Sequence, residues 1–200
     1  MTDFSTFNLG FLASHNGTDM QGIVKAAKSG EINGTAAVVI SNNSKSPALD
    51  FARGEKIPHA HISQIKYADV DRAIADKLRQ HNVNLVILSG YMKQIGPQTN
   101  KAFPGRILNV HPSLLPDFGG LYDEAVHKAV LKAKRAKTGP TIHTIGDSEE
   151  YDTGGKILWQ SEVPVLEDDT VQSLKKRVQQ EEIRAFIKLL KEIQSGKISL

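Results

Sequence analysis

Apolar positions along the chain fall into short runs that alternate with longer amphipathic stretches. Phe7 to Ala13 reads as a first strand, Asp19 to Lys28 as a helix and Thr35 to Ile40 as a second strand. A helix from about Pro47 to Gly54 and a short strand over His59 to Ile62 follow. Val70 to His81 predicts a helix, because Ile74 and Leu78 stand four apart on one face. Leu85-Val86-Ile87-Leu88 is apolar throughout, the mark of a strand covered on both sides. Arg106 to Val110 predicts another strand, Asp123 to Arg135 a helix, and Thr141 to Ile145 and Lys156 to Val163 two more strands. A long helix, Thr170 to Ile193, closes the pattern. The alternation predicts an α/β domain with a mostly parallel, twisted sheet and helices on both faces. Such sheets hold ligands beyond the C-terminal ends of their strands, so chemistry is sought in the loops that follow strands.

Composition narrows this picture. The 200 residues, 40% hydrophobic and 24% charged, suit a single domain over 1–200. The absence of cysteine excludes disulfides, a thiolate nucleophile and Cys-ligated metal centres. No Lys or Arg precedes Lys25, which argues against a signal peptide, and no apolar run approaches the ~18 residues of a membrane span. The expectation is a cytoplasmic protein. The net charge of +3 reflects 25 basic against 22 acidic residues, a mild excess. Its densest run, Lys132 to Lys137, is expected to be a helix tail, where cations complement the dipole. Aromatics at 6% are too sparse for a nucleic-acid face, so none is expected.

Three stretches carry candidate chemistry. In the loop Ser14 to Asp19, Gly17 permits a tight turn and Thr18 or Asp19 could cap the next helix. Free N–H groups there could receive one phosphate, or the stretch is an ordinary strand-to-helix turn. It lacks the glycine triad and the lysine of nucleotide-binding loops. Asn109 and His111 alternate onto one side of a strand that Pro112 terminates. An amide donor beside a protonatable ring suits a developing oxyanion; the alternative is that both merely bond the neighbouring loop. Downstream of Thr141-Ile142-His143, one of Asp147, Glu149, Glu150 and Asp152 could orient that imidazole, and spacing does not single one out. On the last helix, stepping four from Val178 reaches Glu182 and then Phe186. A carboxylate on or beside the inward stripe is costly unless something polar meets it, or else it reaches solvent at the stripe's edge. Gln179, three residues earlier, could share a ligand with it.

The stretch Asn109-Val110-His111-Pro112-Ser113-Leu114-Leu115-Pro116, with Asp152-Thr153-Gly154-Gly155 downstream, resembles the folate-dependent formyltransferases. The likeness runs from Leu9 to about Ile193 and is greatest to the branch that formylates glycinamide ribonucleotide. It implies a Rossmann-like formyltransferase fold that moves a formyl group from 10-formyltetrahydrofolate, the co-substrate, to an amine in purine biosynthesis. Small molecules would be its partners, with no metal, nucleic acid or membrane, and the protein would be a monomer or homodimer. About 7–108 would form the ribonucleotide-phosphate side and about 109–195 the catalytic and folate side.

The resemblance also implies residue roles. Asn109 and His111 would hold the oxyanion, with His111 as general acid, and Asp152 would hydrogen-bond His111 and favour its protonated form. Gly17, Thr18, Asp19, Gln179 and Glu182 would contact the ribonucleotide. Met92, Lys93, Gln94 and Ile95 would line the folate pocket, and Ser148, Glu149, Glu150 and Tyr151 would add backbone contacts. The chain departs from the usual pattern at Thr18-Asp19, where Ser-Asn is common, at Lys93, where Arg is common, and at Ile183, which replaces a His. Its length suggests neither the extra N-terminal domain of formyltetrahydrofolate hydrolases nor the RNA-binding domain of methionyl-tRNA formyltransferases. A sugar-nucleotide formyltransferase and a non-catalytic folate- or nucleotide-binding protein complete the alternatives.

Overall fold

A computed structural model describes residues 3–146 and 155–200. Its central strands are β1 (Phe7–Leu12), β2 (Gly34–Ser41), β3 (His59–His61), β4 (Leu85–Leu88) and β5 (Ile107–His111), followed by β7 (Thr141–Thr144) and β8 (Ile157–Gln160). They form one seven-stranded sheet in the order β3-β2-β1-β4-β5-β7-β8. The first five are parallel, and β7 and β8 run antiparallel at one edge. The mostly parallel α/β expectation therefore holds.

The period-2 alternation of the strands sorts side chains to two cores. Leu9 and Phe11 of β1, with Leu85 and Ile87 of β4, face a cluster completed by α1 (Thr18–Lys28), α2 (Pro47–Gly54) and α6 (Val171–Gln194). Leu12, Val86 and Leu88 point the other way, against Ile74 and Leu78 of α3 (Val70–Gln80). Phe11 and Phe186 are fully buried, each contributing about 2–3 kcal/mol by removal from water. A third cluster joins Val126 and Val130 of α5 (Glu124–Lys132) to Leu174 and Val178 of α6. α6 starts at a capping box in which Thr170 accepts from Ser173 N–H and Ser173 accepts from Thr170 N–H.

Several elements differ from the sequence reading. The short helix α4 (Pro97–Ala102) has no counterpart in it. Its start is held from outside: Asp71 of α3 accepts the N–H groups of Gln98 at 2.7 Å and Thr99 at 3.0 Å. The strand expected over 156–163 breaks after Gln160, and β9 (Val163–Pro164) leaves the main sheet to pair with β6 (Lys137–Thr138). α5 ends at Lys132, three residues early, so most of the basic run lies beyond the helix. There Arg135 pairs with Asp117 at 2.8 Å and lies over the Phe118 ring, and Lys137 pairs with Glu162.

Candidate active site

β5 lies between parallel β4, which pairs with its start at Ile107 and Leu108, and antiparallel β7, which pairs with its end. In the β5–β7 register Asn109 stands opposite His143 and His111 opposite Thr141. The Asn109 side-chain nitrogen lies 3.3 Å from His143 Nε2, and His143 Nδ1 lies 3.0 Å from the Thr144 carbonyl. A carbonyl only accepts, so the hydrogen-bond pattern assigns the ring proton to Nδ1 and the lone pair to Nε2. Asn109 thus donates one amide N–H to the ring and carries a second donor on the same nitrogen. His111 is buried, and the turn that follows it is clamped by its neighbours. Thr141 Oγ1 donates to Ser113 O at 2.7 Å and accepts Leu115 N–H at 2.9 Å, while Gln160 donates to Leu115 O at 3.0 Å.

His127 approaches the same region from α5. It is 2% exposed, and burial, helped by nearby Lys175, lowers its pKa to about 4. His111 also acts on it through space, which puts the two rings in one electrostatic neighbourhood.

The second group of side chains gathers where the chain leaves β1. The N-cap of α1 is Gly17, in the left-handed conformation (φ 61°, ψ 50°), which a glycine adopts without penalty. No side chain caps this helix, so neither Thr18 nor Asp19 takes the capping role that the sequence left open to them. The reason is that Asp19 already lies inside the first turn and is buried, its Oδ2 3.4 Å from Ser89 Oγ. Glu182, reaching in from α6, is buried as well, so it does not extend to solvent. Burial raises the Asp19 pKa to about 6, and burial together with Asp19 holds Glu182 well above the usual carboxylate range. Gln179 is half-buried one turn earlier on α6, and Thr18 is half-buried at the start of α1.

The turn after β4 lies beside this group. Ser14 links three loops: its N–H donates to Gly90 O at 3.1 Å, its hydroxyl donates to Asn42 Oδ1 at 2.6 Å and accepts Met92 N–H at 2.8 Å. Met92, Lys93 and Gln94 are exposed, and Ile95 is half-buried. The Tyr91 hydroxyl is pushed up to about 12 by burial and by Asp71. Asn100 of α4 donates to Gly146 O at 3.3 Å, tying this side to the end of β7.

Of the residues singled out from sequence, Asn109 and His111 share one strand end, and Gly17, Thr18, Asp19 and Glu182 share the α1–α6 junction. Met92 to Ile95 form one turn between the two. Asp152 and the backbone contacts expected from Ser148, Glu149, Glu150 and Tyr151 lie outside the described residues, as does Asp147. The sequence alone assigns no individual role to His143, Ser89 or Ser14. An antiparallel pairing of the Asn109 and His143 strands would have found His143, but sequence order alone does not supply that register. Among the described residues no group of three or more metal-ligating side chains occurs, and no helix is long and apolar enough to cross a membrane.

The sequence matches the formyl transferase family over residues 7–190. It is 38% identical over 188 residues to the chloroplastic phosphoribosylglycinamide formyltransferase of Arabidopsis thaliana, covering 91% of this chain. The chain spans only 63% of that relative's length. To the phosphoribosylglycinamide formyltransferase of Haemophilus influenzae it is 34% identical over 192 residues, 94% of this chain and 88% of the relative. Among solved structures, glycinamide ribonucleotide transformylase 1 from Symbiobacterium toebii is similar with a TM-score of 0.89 at 35% identity, over 98% of this chain and 91% of that one.

Proposed function

The chain belongs to the formyl transferase family, and we propose that it transfers the formyl group of 10-formyltetrahydrofolate to the amine of glycinamide ribonucleotide in purine biosynthesis. The observation that carries the reading is the Asn109–His111 pair on one side of β5, with the Asn109 amide oriented by His143. In this account the acceptor amine attacks the formyl carbon. The new C–N bond converts the formyl oxygen to an oxyanion, which accepts hydrogen bonds from the second Asn109 N–H and protonated His111. Collapse breaks the bond from carbon to N10, a proton passes from the amine to N10, and tetrahydrofolate leaves. Asp152 orients His111 and helps move that proton.

The acceptor's phosphate lies at the N-terminus of α1, which no side chain caps, and takes hydrogen bonds from the N–H groups of Gly17 and Thr18. Gln179 and Glu182 contact the ribonucleotide, with Asp19 alongside. Met92 and Ile95 flank the pterin ring, Lys93 and Gln94 border it, and residues 148–151 contribute backbone groups. The reading requires no metal, and its compartment is the cytoplasm.

Release of tetrahydrofolate, followed with and without glycinamide ribonucleotide, tests the proposal. Acceptor-dependent release is expected. Equal release without acceptor would make the protein a hydrolase, and folate binding without turnover on any amine would make it a binding protein.

A further inference from the structure

Asp19 and Glu182 come from opposite ends of the chain and meet inside it. α1 and α6 cross so closely that a Cβ on Gly22 would lie 2.4 Å from Ile183 Cγ2. Asp19 precedes Gly22 by one helical turn and Glu182 directly precedes Ile183, so this crossing seats both carboxyl groups in the interior. They are only 5% and 6% exposed. Ser89 Oγ, which accepts Met20 N–H at 3.1 Å, is within reach of Asp19 Oδ2. Asp19 Oδ1 is buried and, with both acids ionised, has no hydrogen-bond partner among the described residues. A buried carboxylate oxygen left without a donor is destabilising, and two carboxylates shielded from water at one helix crossing repel strongly. A proton on Glu182 removes both difficulties, since its O–H then donates to Asp19.

We propose that Asp19 and Glu182 hold one proton between them near neutral pH, and that this proton sets how strongly the N-terminus of α1 binds the acceptor's phosphate. The ligand half rests on the acceptor reading above, whereas the shared proton does not. With the proton in place the pair carries a single negative charge beside the first turn of α1. Without it the pair carries two, and the added charge opposes an incoming phosphate. The raised pKa values of both acids agree with this geometry. The surroundings do little to offset it. From α6 the acting cation is Lys175, already paired with Asp123. The lysines of α1, Lys25 and Lys28, stand in its last turn, and the end of β4 offers the Ser89 hydroxyl.

The test compares wild type, Asp19→Asn and Glu182→Gln, both near-isosteric, in the full chain. Infrared difference spectra of ligand-free protein across a pH titration read the protonated carboxyl directly. Its band is expected in wild type near neutral pH and absent in Glu182→Gln. Calorimetric titration with ribose 5-phosphate, from about pH 5.5 to 8.5, reads the ligand half. Relative to Asp19→Asn, which cancels the phosphate's own ionisation, wild-type affinity is expected to fall at least severalfold across the range, because the added negative charge repels the anion. Absence of the carboxyl band overturns the shared proton. Parallel pH profiles for wild type and Asp19→Asn overturn its effect on binding. An intact band with no ribose 5-phosphate binding at any pH overturns the binding half together with the acceptor reading, and leaves the shared proton standing.

Discussion

Asn109 and His143 stand directly opposite each other across the antiparallel β5–β7 pair, the amide nitrogen 3.3 Å from the ring Nε2. The Thr144 carbonyl can only accept, so His143 Nδ1 carries the proton between them, and a neutral ring then leaves Nε2 as the acceptor for the Asn109 amide N–H. The donor end of Asn109 is thereby directed by a residue that need not touch the substrate.

His143→Phe keeps a flat ring but removes the acceptor, leaving the Asn109 amide free to turn. The expected outcome is a fall in kcat of about tenfold to a hundredfold with KM for both substrates changed little, the pattern of an interaction made chiefly in the transition state. Steady-state kinetics check it. A rise in KM at unchanged kcat would assign His143 to ground-state binding.

His127 titrates in the opposite sense to the buried acids. Its pKa is lowered to about 4 in the folded protein, against an ordinary value near 6.5, so the unfolded chain binds more protons between these values. Its contribution to stability is present above about pH 6.5 and is lost as pH falls toward 4. Because the raised pKa values of Asp19 and Glu182 act in the opposite direction over that window, the readout is a difference: as pH falls, the urea midpoint of wild type should decline relative to that of His127→Gln, even if that variant is less stable throughout. Equal slopes of midpoint against pH would contradict the assignment.

Much of this architecture is legible in the pattern. The continuous apolar run Leu85–Leu88 is indeed covered on both faces, and the alternation of Leu9, Phe11 and Leu12 assigns the two cores. The proximity of Asn109 and His111 follows from their spacing on one strand, and the awkward place of Glu182 on an apolar stripe announced a polar partner. What could not be read depends on contacts between distant segments. α4 starts on a carboxylate supplied by Asp71, 26 residues earlier than Pro97, and its local signal is limited to the proline at its start. His143 joins the site through an antiparallel register, and β9 leaves the sheet because β6 offers it a partner. Asp19 looked like a helix cap by composition, but a glycine in the left-handed conformation took that position and freed the carboxyl to turn inward.

The α1–α6 crossing gives a stability prediction. Gly22→Ala adds a methyl against Ile183, a branched side chain with little freedom to move. Overpacking of this kind costs about 1–3 kcal/mol, offset in part by the roughly 1 kcal/mol that alanine gains over glycine in a helix. Net destabilisation is expected by urea denaturation. Adding Ile183→Ala should recover stability relative to the sum of the single changes, and simple additivity would contradict the proposed contact.

The most direct measurement concerns Asn109 and His111 themselves: single-turnover release of tetrahydrofolate from 10-formyltetrahydrofolate in the presence of saturating glycinamide ribonucleotide. Removing one oxyanion donor costs roughly 3–4 kcal/mol, so Asn109→Ala and His111→Ala should each slow the step on the order of a hundredfold or more, with the fold intact by circular dichroism. A wild-type rate in either purified variant would contradict the account.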